Sequence, residues 1–207
     1  ERLLEIKRLA TSAKSYGLEM HLLSAQEAQE VFPLLSTKGV HGAVFLPSDG
    51  YVDPSSLTQG LAKGARMRGA KINEGECVTG FTRKGKRITE VITDKATYRC
   101  EVVVNCAGIW AWEIGRMMGV RTPTVAVEHQ FMVTERIPDL PDNLPTMRDP
   151  DHLVYFKPDA GTLAIGGWEE GTRTFGQDGI RPDFGRELLP GNWDRFEPWG
   201  LLAAERV

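Results

Sequence analysis

The chain has 207 residues, of which 41% are hydrophobic and 26% are charged, and its formal net charge is −3. This length allows one sizeable hydrophobic core or parts of two domains. The slightly acidic balance argues against a nucleic-acid-binding surface, and no apolar run is long enough to span a membrane. Because the chain begins at Glu1 and ends within a helical pattern, we expect it to be an internal fragment of a longer protein.

The three cysteines favour a reduced intracellular protein. Cys77, Cys100 and Cys106 are odd in number and lack the C-x-x-C spacing of zinc sites, so we expect no metal site. All three lie in strand-like stretches, where we expect them to be buried as small hydrophobic residues.

The first 49 residues predict helices that alternate with short strands. Ser24 followed by Glu27 has the spacing of a capping box, which predicts a helix start at Ser24. The expected elements, in order, are a helix over 3–16, a strand over 19–23, a helix from Ser24 to Pro33 and a strand over 40–46.

Residues 50 to 119 predict a helix, a strand, a hairpin, a further strand and a last helix. Asp53 and Pro54 form a favourable helix start, and Gly69 ends that helix. The expected strands here are 70–73, 77–82, 88–93 and the segment that begins at Tyr98.

The segment from Tyr98 to Trp112 carries the strongest signal in the chain. The apolar run from Val102 to Val104 is typical of a strand buried on both faces in a parallel sheet. The small residues Cys106, Ala107 and Gly108 follow, and then a helical pattern. A strand, a small-residue turn and a helix let a backbone approach a dinucleotide. The glycine-rich fingerprint G-x-G-x-x-G occurs nowhere in the 207 residues.

From Thr124 onward the pattern predicts an antiparallel sheet over 120–175. Alternation from Val125 to Val133 puts His129 on the apolar face of one strand. A hairpin over 153–168 follows, in which a four-residue turn from Pro158 to Gly161 would set Tyr155 opposite Ala164. Small residues opposite Tyr155 would leave a gap for a ring or a substrate. We expect a loop over 169–192 and a helix from residue 193.

Four segments resemble one family, over essentially the whole chain. VVVNCAGIWA is similar to a cofactor-contacting segment of FAD-dependent oxidoreductases of the D-amino-acid oxidase and glycine oxidase superfamily. The chain resembles the dimethylglycine and sarcosine dehydrogenase branch more closely. Three segments of that branch are matched: its helix containing DP, its HQY strand and its RDPD hairpin. The matching segments are DGYVDPSSLTQGLAKGARMRGAKI, VEHQFMVTE and RDPDHLVYFKPDAGTLAIGGWE. Phe131 replaces the tyrosine of the HQY strand.

The resemblance implies an α+β fold, in which an α/β FAD-binding portion is joined to an antiparallel-sheet substrate domain. The N-terminal dinucleotide-binding βαβ unit of that fold is missing from this sequence. Residues 1–49 would belong mostly to the substrate domain, residues 50–119 to the second part of the FAD-binding domain, and residues 120–207 to the substrate domain again.

The same resemblance implies roles for six residues. Val78, Ala107, Gly108 and Trp110 would contact FAD, and His129 and Tyr155 would be catalytic. Charge adds two more candidates: Arg148 and Lys157 could hold a substrate carboxylate, since a buried anion needs a cation. From the residues alone, a hydrogen-bonded core position is the more common role for a residue like His129, and a solvated surface is the more common one for the two cations. For Tyr155, a packed core position and a site position are equal alternatives.

The implied function of the parent protein is FAD-dependent oxidation of secondary or tertiary amines such as N-methyl glycines. Oxygen or an electron-transfer flavoprotein would be the electron acceptor. The implied location is the cytoplasm, or the mitochondrial matrix in a eukaryote. Two alternatives remain open: a non-catalytic regulatory subunit like that of pyruvate dehydrogenase phosphatase, and an inactive structural fragment.

We predict that the 207-residue chain, purified alone, is nearly colourless and inactive. It lacks the phosphate-binding turn on which much of the anchoring of a dinucleotide depends. An absorbance spectrum checks this, and a stoichiometric flavin spectrum would refute it.

Overall fold

The computed structural model describes residues 1–185 and 187–207, which form two compact units. Unit 1 comprises Glu1–Asp53, His129–Gly171 and Pro190–Val207, and unit 2 comprises Pro54–Glu128 and Thr172–Leu189. Both combine helices with antiparallel strands, so the predicted α+β class is confirmed.

The helices and strands of the described residues are numbered here in chain order. The helices are α1 Arg2–Ala13, α2 Ala25–Val31, α3 Pro54–Met67, α4 Ala111–Met117 and α5 Trp193–Arg206. The strands are β1 His21–Leu23, β2 Ala43–Phe45, β3 Val78–Lys84, β4 Arg87–Thr93, β5 Thr97–Arg99, β6 Ala126–Val127, β7 Phe131–Val133, β8 Met147–Asp149, β9 Val154–Asp159, β10 Thr162–Gly167 and β11 Thr174–Phe175.

The N-terminal part of unit 1 follows the sequence patterns closely. The Ser24 hydroxyl accepts a hydrogen bond from the Glu27 N–H at 3.2 Å, and the Glu27 carboxylate accepts one from the Ser24 N–H at 2.7 Å. The predicted capping box is therefore confirmed. Strands β1 and β2 pair antiparallel, and each lies within one of the two strands predicted for this region.

The core of unit 1 lies on one face of a four-stranded antiparallel sheet with the order β7-β10-β9-β8. Val154, Phe156 and Leu163 are completely buried on this face. Phe32 from the end of α2 and Ala203 from α5 pack in the same cluster. Each buried side chain of this size contributes about 1.5–3 kcal/mol, so this face fixes which side of the sheet is internal.

The hairpin β9–β10 has a different register from the predicted one. Its turn consists of two residues, Ala160 and Gly161, with φ angles of 48° and 84°. Two positive φ angles are typical of a tight type I′ turn. Tyr155 consequently lies opposite Gly166, and the predicted pairing with Ala164 is wrong. Pro158 extends β9 instead of turning, because β8 pairs only as far as Phe156 and leaves no ladder partner for its missing N–H.

The predicted strand Val125–Val133 is divided between two sheets, so residues 120–175 do not form a single sheet. β6 pairs with β11 in unit 2, whereas β7 pairs with β10 in unit 1. The predicted apolar face is also the exposed one: Val127, Phe131 and Val133 are about half exposed, and Met132 on the opposite face packs against the core.

Unit 2 contains a meander of β3, β4 and β5, together with α3, α4 and the β6–β11 pair. The predicted hairpin into β4 is confirmed, and the helix predicted after Asp53 begins at Pro54. The strand predicted over Ala70–Asn73 is wrong, because this stretch pairs with no described strand.

The apolar run at Val102–Val104 does not form the predicted buried strand. Strand β5 ends at Arg99, and Val102 and Val104 are 78% and 77% exposed. No strand of the described residues hydrogen-bonds to this run, and only Val103 of the three valines is half-buried. The prediction that all three cysteines are buried is also wrong, since Cys77 and Cys106 are exposed.

We predict that Gly167→Ala destabilises unit 1 by about 1–3 kcal/mol, through overpacking. A Cβ at residue 167 would lie 2.4 Å from Cδ1 of Trp199, whose ring packs on the core. Gly50→Ala is the control, since no heavy atom lies within 4 Å of its Cβ position. Urea unfolding should show at most about 0.5 kcal/mol for the control. Equal stabilities of the two variants would contradict this account of the core.

Candidate functional site

Three of the predicted site residues share the face of the unit 1 sheet that is opposite the core. Arg148 on β8 pairs with Tyr155 on β9, which pairs with Gly166 on β10. Lys157 lies two residues from Tyr155 and therefore on the same face. The buried side chains Val154 and Phe156 alternate with these residues, so core packing determines where the phenol and the cations lie.

The ring of Tyr155 lies over Gly166. A Cβ at residue 166 would be 2.3 Å from the Tyr155 hydroxyl oxygen, so only glycine leaves room for this ring. The predicted gap beside the small residues is therefore filled at Gly166 by Tyr155 itself. Burial raises the pKa of the Tyr155 phenol above its ordinary value, which keeps the hydroxyl protonated and able to donate a hydrogen bond.

Both predicted cations contact aromatic rings. The Arg148 guanidinium carbon lies 5.4 Å from the ring centroid of Trp168, and the Lys157 ammonium lies 5.1 Å from that of Tyr51. Among the residues that the structure describes, no carboxylate forms an ion pair with either cation. A ring holds a cation without neutralising it, so both charges remain available to an anion.

His129 occupies an exposed position between β6 and β7. The alternative of a buried core histidine does not apply to the described structure. The site thus brings Arg148, Tyr155 and Lys157 onto one sheet face, and the role predicted for His129 stays a prediction.

The residues predicted to contact FAD lie in unit 2. Asn105 shapes their turn: its side-chain oxygen accepts a hydrogen bond from the Ala107 N–H at 3.2 Å, and its amide donates to the Ala111 carbonyl at 2.8 Å. Gly108 follows with a φ of 56°, and no heavy atom lies within 4 Å of its Cβ position. This open, left-handed backbone fits the close approach of a dinucleotide.

Trp110 and Val78, the other two residues predicted to contact FAD, are both half-buried. The Trp110 indole donates a hydrogen bond to the Arg181 carbonyl at 3.1 Å, so its N–H is already satisfied. Val78 begins β3, the strand on which α4 packs. Apolar and aromatic surfaces of this kind fit a flavin nucleotide, while the direct contacts remain predictions.

A buried ionic cluster was missed by the sequence analysis. The Asp149 carboxylate accepts a hydrogen bond at 2.6 Å from Nε of Arg206, and it lies 2.6 Å from Nδ1 of His152. Arg206 also donates to the carbonyls of Ser36 and Lys38 at 3.2 and 3.1 Å. The cluster connects α5 to β8, the edge strand of the sheet. In the sequence, the RDPD motif marks Asp149, but no local pattern links it to Arg206, which is 57 residues away.

Glu169 is the second residue whose partners lie far away in sequence. Its side chain is 7% exposed and forms an ion pair with Arg195 in the first turn of α5. Gln130 donates to it at 3.4 Å and accepts from the Asn192 N–H at 2.6 Å. This network joins the residue before β7, the end of β10 and the start of α5.

Two classes of site are not found in the described part of the chain. No group of three or more histidine, cysteine, aspartate or glutamate side chains within residues 1–185 and 187–207 could hold a metal ion. None of the helices described is both long and apolar enough to cross a membrane.

Unit 2 thus contains an open small-residue turn, and unit 1 contains a sheet face with cations and aromatic rings. The family model described as "FAD dependent oxidoreductase" matches residues 1–198. The chain therefore belongs to the family of FAD-dependent oxidoreductases, whose cofactor is FAD, as the sequence predicts.

Similar proteins include members of the predicted branch. Mouse mitochondrial sarcosine dehydrogenase (Mus musculus) is 36% identical over 201 residues, which cover 95% of this chain and 22% of that protein. Human mitochondrial dimethylglycine dehydrogenase (Homo sapiens) is 34% identical over 211 residues, 98% of this chain and 24% of that protein. The mouse mitochondrial pyruvate dehydrogenase phosphatase regulatory subunit is 31% identical over 202 residues, 96% of this chain and 23% of that protein. The chain thus spans less than a quarter of these relatives.

The fold is similar to that of solved oxidoreductases. L-proline dehydrogenase from P. horikoshii superposes with a TM-score of 0.80 at 25% identity, over 99% of this chain and 52% of that chain. The predicted resemblance to the superfamily and to its sarcosine and dimethylglycine dehydrogenase branch is confirmed.

We predict that Asp149→Asn destabilises unit 1 by about 3 kcal/mol at neutral pH, because it leaves the buried Arg206 without its carboxylate. Burial raises the pKa of Asp149, but the hydrogen bonds from His152 and Arg206 outweigh it and lower the pKa below its ordinary value. The stabilisation by the carboxylate is therefore complete above about pH 4 and disappears as the pH falls through the lower, folded-state pKa.

Urea unfolding at pH 7 and at pH 3 measures this difference. Asp151→Asn is the matched control, because its 66%-exposed carboxylate forms only a surface ion pair with Arg2 and should contribute little. A loss for Asp149→Asn that does not shrink at low pH would contradict the role assigned to the ionised carboxylate.

Proposed function

We propose that the protein containing this chain is an FAD-dependent oxidoreductase of secondary or tertiary amines such as N-methyl glycines. The observation that carries the proposal is the sheet face on which Arg148, Tyr155 and Lys157 lie without a described carboxylate partner for either cation. A face with unneutralised cations and a phenol suits a small amine that also carries a carboxylate.

The two units take different tasks in this proposal. Val78, Ala107, Gly108 and Trp110 of unit 2 hold FAD, which, when bound, accepts the hydride from the carbon next to the amine nitrogen. Unit 1 supplies the substrate-binding residues. Oxygen or an electron-transfer flavoprotein is the electron acceptor. The proposed location is the cytoplasm. If the source is eukaryotic, it is the mitochondrial matrix, because the sarcosine and dimethylglycine dehydrogenases named above are mitochondrial.

Within unit 1, the residues share the work of binding and proton handling. Arg148 and Lys157 attract the substrate carboxylate. His129 accepts the proton of the ammonium group, because only the unprotonated amine can lose a hydride. The protonated Tyr155 hydroxyl positions the substrate by donating a hydrogen bond.

A non-catalytic regulatory subunit is the second candidate, favoured by the 31% identity to the phosphatase regulatory subunit. Flavin content and turnover of N-methylglycine by the full-length protein discriminate the two. Bound flavin that N-methylglycine reduces supports the enzyme. A full-length protein with neither flavin nor turnover supports the regulatory subunit.

We predict that His129→Ala in the full-length protein slows flavin reduction by N-methylglycine about 10²-fold or more, the usual effect of removing a general acid–base group. Tyr155→Phe should slow it less, since only one hydrogen bond is lost. Anaerobic stopped-flow measurement of flavin absorbance gives both rates. An unchanged rate in the His129→Ala variant would remove His129 from the mechanism.

A further inference from the structure

The indole of Trp168 contacts two of the side chains that, in the proposed function, bind the substrate. Its ring centroid lies 5.3 Å from that of Tyr155, at an interplanar angle of 58°, and 5.4 Å from the guanidinium carbon of Arg148. We propose that Trp168 is a positioning residue, which holds the phenol and the guanidinium so that together they bind a short N-alkyl amino acid. The inference rests on the proposed function.

The backbone that carries this indole is fixed on both sides. The Trp168 N–H donates a hydrogen bond to the Leu153 carbonyl at 2.9 Å, one step beyond the last pair of the β9–β10 ladder. The side chain of the next residue, Glu169, is 7% exposed and forms an ion pair with Arg195. Trp168 itself is 37% exposed, so its ring is not part of the packed core. Its backbone is nevertheless held firmly, as a residue that positions others requires.

Tyr155 is confined between two surfaces. Gly166 lies on one side of its ring, where a Cβ would be 2.3 Å from the hydroxyl oxygen, and Trp168 contacts it on another. Without the indole, the phenol would lose the aromatic contact on that side of its ring. Its hydroxyl would then sample several positions, which weakens any hydrogen bond that depends on a single geometry.

Arg148 gains a defined position without losing its charge. Its side chain is exposed and forms no ion pair with a described carboxylate, so it would otherwise sample many rotamers. The face of the indole restricts that freedom by a cation–π contact, whereas a carboxylate partner would compete with the substrate. Trp168 therefore lowers the cost of ordering Arg148 when a substrate carboxylate binds.

The test uses the full-length protein and methoxyacetate, a carboxylate that resembles N-methylglycine but has no amine to oxidise. By calorimetry, Trp168→Leu should weaken methoxyacetate binding about tenfold, as expected from losing one cation–π and one aromatic contact. Trp168→Phe, which keeps a ring, should lose no more than about threefold. If Trp168→Leu does not fold, Trp168→Gln replaces it in the test, and the same loss of binding is expected.

Trp112→Leu is the matched control. Trp112 is 39% exposed and has the guanidinium of Arg116 at 5.1 Å from its ring, but it belongs to α4. This variant should bind methoxyacetate as the wild type does. In the Arg148→Ala background, Trp168→Leu should weaken binding by less than it does in the wild type, because only the contact of the indole with Tyr155 is then lost.

Turnover separates this inference from the proposed function. Trp168→Leu should raise KM for N-methylglycine about tenfold and raise KM for N-methylglycinamide less, because the amide lacks the carboxylate that Arg148 would bind and is affected only through Tyr155. Methoxyacetate binding that depends on Trp168 in a protein that oxidises neither amine would refute the proposed function and support the positioning role. A wild type that does not bind methoxyacetate, or Trp168 variants that bind it unchanged, would overturn the positioning role whatever the turnover.

Discussion

Burial of one face of the β7-β10-β9-β8 sheet is the constraint on which the candidate substrate site depends. Val154, Phe156 and Leu163 are fully buried on that face, and successive side chains of a strand point to opposite sides. Tyr155 and Lys157 are therefore committed to the other face. A shift of the hairpin by one residue would bury both and expose the core, so the hydrophobic effect alone specifies their placement.

Two adjacent glycines then adapt the sheet to an aromatic ring on each side. Gly166 gives space to Tyr155 on the face opposite the core, and Gly167 gives space to Trp199 on the core face. The tight turn at Ala160 and Gly161 is what brings Gly166 opposite Tyr155. A longer turn would have set Ala164 there, and its methyl group would compete with the phenol for the same space. The same hairpin therefore determines both the packing of the core and the geometry of the candidate site.

The sequence predicts the parts of this structure that local interactions decide. The capping box at Ser24, the helix start at Pro54 and the β3–β4 hairpin depend on residues a few positions apart. Its errors concern partners that are distant in sequence. Val102–Val104 looks like a buried strand but pairs with no described strand, and the Asp149–Arg206 cluster joins residues 57 positions apart. The hairpin register was missed because proline at residue 158 favours a turn, whereas Ala160 adopts a positive φ.

The placement of substrate on Arg148 and Tyr155 is the central claim, and one measurement tests it most directly. A crystal structure of the full-length protein with methoxyacetate should show the ligand carboxylate about 3 Å from the Arg148 guanidinium, and the ligand within hydrogen-bonding distance of the Tyr155 hydroxyl. A ligand bound elsewhere, with Arg148 still on Trp168 and contacting no anion, would contradict the account.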